Sequence, residues 1–106
     1  MSKFINASIA KSENYNKLIV SGEIDLNTIE ILKPKIDELL KENKDILIDM
    51  EDVKFIDSTG LGTLVKLYKE QKLKEKKVTI INTKTNVRKI FKITYMEEMF
   101  NLGGEN

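Results

Sequence analysis

The chain has 106 residues, 41% hydrophobic and 33% charged, which suits one soluble globular domain and argues against disorder. It contains no cysteine and no histidine, which excludes disulfides, thiol redox chemistry, Cys/His zinc sites and any triad with imidazole as base. Net charge is only +1, yet residues 66–92 hold ten of the eighteen basic residues against Glu70 and Glu75, so the remainder is acidic.

The first strand is expected over residues 3–10, KFINASIA, where apolar residues partly alternate. Asn14 and Asn16 in SENYN suggest a hairpin turn before a second short strand at 17–20, KLIV. Ser21-Gly22-Glu23-Ile24-Asp25 leaves that strand and leads into a helix from Asn27 to Asn43. There Ile29, Leu32, Ile36, Leu39 and Leu40 share one stripe. Asn27 and Glu30 have capping-box spacing, and Pro34 predicts a disturbed first turn. Ile46, Leu47, Ile48 and Met50 mark a buried strand, extended by Val53, Phe55 and Ile56 after an acidic bend at Glu51-Asp52.

The clearest amphipathic helix follows, with Leu61, Leu64, Val65, Tyr68 and further along Leu73 on its apolar side. Thr63, Lys66, Lys69, Glu70 and Lys72 take the other side. A charged loop at 74–77 precedes the strand VTII at 78–81, and 82–86 form a turn. Val87, Ile90, Phe91 and Thr94 predict a third helix, and Met96, Met99, Phe100 and Leu102 predict a tail docked on the body. The resulting order, β-β-α-β-α-β-α plus tail, implies an α/β domain with parallel neighbours in its sheet. No apolar run is long enough to span a bilayer, and the N-terminus lacks the pattern of a secretion signal, so the expected location is the cytoplasm.

The stretch with chemical content is FIDSTGLGTLVKLYKE, where a strand hands over to a helix through Asp57-Ser58-Thr59-Gly60. Ser, Thr or Asp before a helix normally accepts hydrogen bonds from unpaired backbone N–H groups, worth about 1 kcal/mol. Three capping residues exceed what one cap needs. Gly60 and Gly62 also lie in the first turn, where each glycine costs about 0.8–1.0 kcal/mol relative to alanine. A serine hydrolase needs G-x-S-x-G and a positioned base, and I-D-S-T-G supplies neither. Nucleotide binding lacks G-x-x-x-x-G-K-[ST], and the G-L-G pair lacks dinucleotide spacing. Beside capping, a further candidate is covalent phosphorylation of Ser58, which adds about −1.5 to −2 charges that a helix start tolerates while the surface changes sharply.

These residues, with ILIDM before them and SGEID earlier, closely resemble the bacterial anti-sigma factor antagonists of the STAS domain class (sulphate transporter and anti-sigma antagonist). The resemblance covers nearly the whole chain. It implies a single STAS-like α/β domain over residues 1–106, with a mixed four- to five-stranded sheet covered by about four helices. In that family the D-S-[ST]-G segment opens the second helix and its first hydroxyl residue is the phosphoacceptor, which maps onto Ser58. The family's G-E-[LI]-D segment maps onto Gly22-Glu23-Ile24-Asp25, in a loop near the phosphorylation site.

The resemblance further implies a non-enzymatic regulator without cofactor or metal. Its unphosphorylated form would bind an anti-sigma factor that is also a serine kinase, freeing the sigma factor. Phosphorylation at Ser58 would end this, and a serine phosphatase would restore it. The expected partner surface comprises Asp25, Asp57, Ser58, Thr59, Gly60, Leu61 and Gly62, and the free protein is expected to be a monomer that contacts neither nucleic acid nor membrane. Two other readings stay open at this point. One is a STAS scaffold in a different signalling assembly. The other is a nucleic-acid binder using the basic block at 66–92, although its aromatics, Tyr68, Phe91 and Tyr95, make poor stacking platforms.

Overall fold

Period-two burial defines the sheet. In β2 (Tyr15–Ile24) the residues Asn16, Leu18, Val20, Gly22 and Ile24 are buried and those between them are not. The structure, a computed structural model, describes residues 4–102. β1 (Ile5–Lys11) pairs antiparallel with β2, and β3 (Asp45–Ile56) and β4 (Val78–Ile81) continue in parallel, in the order β1-β2-β3-β4. Both parallel crossovers step in the same direction. Right-handed crossovers therefore put α1 (Ile29–Leu40) and α2 (Ser58–Leu73) side by side on one face. α3 (Thr85–Ile93) packs against β3.

The expected order of elements and the mixed α/β sheet are borne out, with four strands and, among the described residues, three helices rather than about four. The tail after α3 is a run of turns, and it docks as expected, burying Phe100 and Leu102. The Phe100 carbonyl accepts a hydrogen bond from the Ile80 N–H at 3.1 Å, tying the tail to the short edge strand. The proposed hairpin turn falls earlier than the asparagines suggested: Asn16 is a buried strand residue, and Ser12 closes the turn against the Tyr15 carbonyl. Of the first expected strand, Lys3 lies outside the described residues.

The acidic bend in β3 is a feature within one continuous strand. Between Ile19↔Asp49 and Ser21↔Asp52 one β2 residue faces two on β3, and between Gly22↔Val53 and Glu23↔Phe55 Lys54 is the extra residue. Each bulge inserts a residue, so the buried spacing changes from Ile46-Ile48-Met50 to Met50-Val53-Ile56. The Asp49 carboxylate accepts from the Glu51 N–H at 3.0 Å and steadies the first bulge.

In α1 the buried stripe is Ile29, Leu32, Ile36 and Leu39, and the helix runs through Pro34. Asn27 is not its cap. The position belongs to Thr28, whose hydroxyl bonds outside the helix. In α2 the buried side is Leu61, Leu64, Leu67 and Gln71, whereas Leu73 is 82% exposed. Gln71 Nε2 donates to the Lys44 carbonyl at 2.8 Å, and Lys74 Nζ donates to the Leu40 and Glu42 carbonyls at 2.8 and 3.1 Å. These bonds join the carboxyl ends of the two helices.

At that pole Glu42 accepts from Lys11 at 2.7 Å and from Asn16 Nδ2 at 3.2 Å. The Lys11 ammonium, then the Asn16 amide, hold its carboxyl down at about 2 against an ordinary 4.5. The folded carboxylate thus binds its proton more weakly than the unfolded one. Its contribution to stability is complete above about pH 4.5 and disappears as the pH falls toward about 2. Glu42→Gln is accordingly expected to lose less stability than the parent between pH 6 and pH 3, measured as urea midpoints. Equal losses would contradict the assignment.

Candidate functional site

The amino ends of α1 and α2 meet beyond the carboxyl ends of β2 and β3. Asp57 joins them. Its backbone is extended, as an N-cap requires, and its Oδ1 accepts from the Gly60 N–H at 2.9 Å. Its Oδ2 accepts from the Leu26 N–H at 3.1 Å, 31 residues away in sequence. The Asp57 N–H donates to the Ile24 carbonyl at 3.1 Å, continuing the β2–β3 pairing to the helix start.

With the cap supplied by Asp57, Ser58 becomes the first residue of α2. It is exposed, and its hydroxyl makes no hydrogen bond to any described residue. Thr59 is half-buried, and its carbonyl accepts from the Thr63 hydroxyl at 3.0 Å. Gly60 lies beneath the site. A Cβ there would sit 2.8 Å from both Ile24 Cγ2 and Ile56 Cγ1 and 2.9 Å from the Ile24 carbonyl oxygen. Only glycine lets α2 start this close to the strand ends. Gly62 differs: it is exposed and a Cβ would meet nothing within 4 Å. Packing gives no reason for that glycine. It lines a groove of about 640 Å³ between α1 and α2, with Ser58 and Thr59 at one end and Lys33, Asp37, Lys66 and Glu70 along its walls.

The structure thus brings together all the expected site residues, but not all at the surface. Ser58 and Gly62 are exposed and Asp57 and Thr59 half-buried, whereas Gly60 and Leu61 are buried and shape the helix start from below. Asp25 is adjacent and half-buried, and its Oδ1 is engaged by the loop, accepting from the Asn27 and Thr28 N–H groups at 2.9 and 3.1 Å. It therefore builds the β2–α1 loop through that oxygen. Thr28, absent from the expected site, is 1% exposed; its hydroxyl donates to the Glu23 carbonyl at 2.7 Å and accepts from the Asp25 N–H at 3.0 Å. The spacing Asp25-x-x-Thr28 carries that signal in the sequence, because each side chain can bond the other's backbone. The exposed Leu26 at the loop tip had no sequence signal.

The basic block is divided among α2, the loop after it and α3. Lys74 is engaged with backbone carbonyls and Arg88 with Glu97 at 3.2 Å. Among the described residues no group of three or more carboxylates could hold a metal ion, and no helix is long and apolar enough to cross a membrane.

The chain is similar to known proteins in both sequence and fold. The chain is 28% identical over 102 residues to the anti-sigma-B factor antagonist of Bacillus subtilis, covering 96% of this chain and 94% of that protein. Its fold is similar to an anti-sigma factor antagonist from Mycobacterium paratuberculosis, with a TM-score of 0.84, 23% identity and coverage of 93% and 85% of the two chains. It is also similar to the Bacillus cell fate determinant SpoIIAA in its phosphorylated form, with a TM-score of 0.67, 18% identity and coverage of 89% and 87%. The family model described as the STAS domain matches residues 6–104, nearly the full length, and by that match the chain belongs to the STAS domain family.

Proposed function

We propose that this chain is an anti-sigma factor antagonist switched at Ser58. The unphosphorylated form binds an anti-sigma factor with serine kinase activity, which releases the sigma factor. Phosphorylation of Ser58 ends the binding, and a serine phosphatase restores it. The transfer chemistry belongs to the kinase, so this chain contributes the acceptor hydroxyl and the surface around it.

The observation that carries this reading is the division of roles between Asp57 and Ser58. The cap that a serine at this place would ordinarily supply is already made by Asp57. Ser58 is left exposed with an uncommitted hydroxyl, at a helix end whose backbone dipole favours negative charge. A phosphoryl group there needs no rearrangement of the core, so the fold survives while about −1.5 to −2 charges appear on the surface. Gly62 supports the same reading, since an exposed helical glycine with open space around it keeps the surface beside Ser58 free of bulk. The phosphorylated SpoIIAA shows that a protein of this fold tolerates phosphorylation.

The test is calorimetry against the purified anti-sigma kinase of the same organism. Ser58→Ala is expected to bind like the parent. Ser58→Asp is expected to bind roughly 100-fold more weakly, about 2.7 kcal/mol, as expected for a charge forced into a desolvated contact. Equally tight binding by the Asp variant would refute the switch.

A further inference from the structure

The loop between β2 and α1 is held by hydrogen bonds within it and to Asp57. Asp25 accepts from Asn27 and Thr28, the Thr28 hydroxyl bridges Glu23 and Asp25, and the Leu26 N–H is held by Asp57. Beside the exposed Asn27, this fixed loop presents outward an apolar side chain, Leu26, which is 69% exposed. One hydrogen bond links its backbone to the residue that precedes Ser58. Two more large apolar residues lie at the same end of the sheet, on its uncovered face: Phe55, 44% exposed, and Phe4, 50% exposed. They flank Glu23, which is in register with Phe55 and donates its N–H to the Phe4 carbonyl at 3.0 Å.

Isolated exposed apolar residues need no explanation, but an exposed leucine on an ordered loop, hydrogen-bonded to the residue before a charge-switchable hydroxyl, does. We propose that Leu26 is a preformed apolar anchor that enters an apolar socket on the same protein partner that engages Ser58. This inference rests on the switch described above and adds its physical cause. A surface charge in water costs a complex little, because water screens it; the same charge beside a dry contact is penalised severely. Burying Leu26 expels water next to Ser58. The anchor therefore both strengthens the unmodified complex and makes the phosphoryl group incompatible with it. Because five internal hydrogen bonds already order the loop, little conformational freedom remains to be lost on docking.

The experiment measures binding of the full chain to the purified anti-sigma kinase by calorimetry, with thermal unfolding of every variant alongside. Leu26→Ala is expected to weaken binding about tenfold or more with an unchanged unfolding midpoint, and Leu26→Met to restore it. Leu73→Ala, which removes an 82% exposed leucine at the far end of α2, is expected to bind like the parent. In a double-mutant cycle the penalty of Ser58→Asp is expected to shrink in the Leu26→Ala background, because the site stays wetter. Parent-like binding by Leu26→Ala, or a Ser58→Asp penalty that is the same in both backgrounds, overturns the anchor and leaves the Ser58 switch standing. A loss of binding that accompanies a lowered unfolding midpoint in Leu26→Ala and is not restored by Leu26→Met also overturns it. Failure of the parent chain to bind overturns both.

Discussion

Gly22→Ala is expected to lower stability by about 3 kcal/mol or more, enough to bring the unfolding midpoint down by roughly 12 °C. Gly22 sits in the G-E-I-D segment with φ +103°, a backbone region that side chains other than glycine rarely adopt. Its added Cβ would lie 2.3 Å from the Phe4 carbonyl oxygen and 3.0 Å from Ile5 Cα. Those neighbours are backbone atoms of the adjacent strand, so they cannot give way by a rotamer change. Strain and overlap therefore add. Gly62→Ala is the natural contrast: nothing opposes its Cβ, and helix propensity alone predicts a gain of about 0.8–1.0 kcal/mol. Thermal unfolding of the two variants checks both signs, and a Gly22→Ala protein as stable as the parent would contradict this geometry.

Phe100→Ala is expected to cost about 3–5 kcal/mol, a large share of the 5–15 kcal/mol available to a domain of this size. The ring is fully buried and meets Phe91 and Tyr68 edge-on, with centroids 5.7 and 5.9 Å apart. It joins the tail to α3 and α2 at once, and its carbonyl completes the pairing of β4 at Ile80. Truncation leaves a cavity among three elements that cannot easily collapse together. Chemical denaturation should show the loss, with the signal-weighted midpoint shifted and the slope unchanged. A change below about 1 kcal/mol would mean the tail contributes little to the core.

Strict periodicity was legible. The Ile29-Leu32-Ile36-Leu39 stripe and the VTII strand stand where their spacing put them, whereas the short apolar strand expected at 17–20 is the middle of a longer β2 that runs on through 21–24, taken in the sequence as the exit from the strand. Irregular pairing was not. The two bulges of β3 change its burial period from two to three, and nothing in DILIDMEDVKFI states where a partner strand will skip a residue. Long-range polar bonds were also hidden. Gln71 is a buried helix residue because the Lys44 carbonyl needs a donor, and Asn16 is buried beside Glu42 for a similar reason. Residues paired across 26 or 27 positions leave no local trace.

At the site the sequence pointed to one segment, and the structure sorts its residues between surface and core. Asp57, Ser58, Thr59, Gly60, Leu61 and Gly62 are contiguous, so their proximity was never in doubt. Which of them face out depends on the helix phase, which is fixed by Gly60 lying against Ile24 and Ile56. The engagement of the Asp25 carboxylate depends on the Asn27 and Thr28 N–H groups it accepts from. Leu26 shows the complementary blindness. A lone leucine between polar residues reads as an unremarkable loop position until the bonds around it are seen to hold it outward.

The central claim is that Ser58, relieved of capping by Asp57, is the acceptor of a phosphoryl group. The most direct measurement is intact mass, followed by fragmentation, after incubating the chain with ATP, magnesium and the purified anti-sigma kinase of its own organism. The account predicts a gain of one phosphoryl group, located at Ser58 and absent from Ser58→Ala. No gain, or a gain at Thr59 that persists in Ser58→Ala, would contradict it.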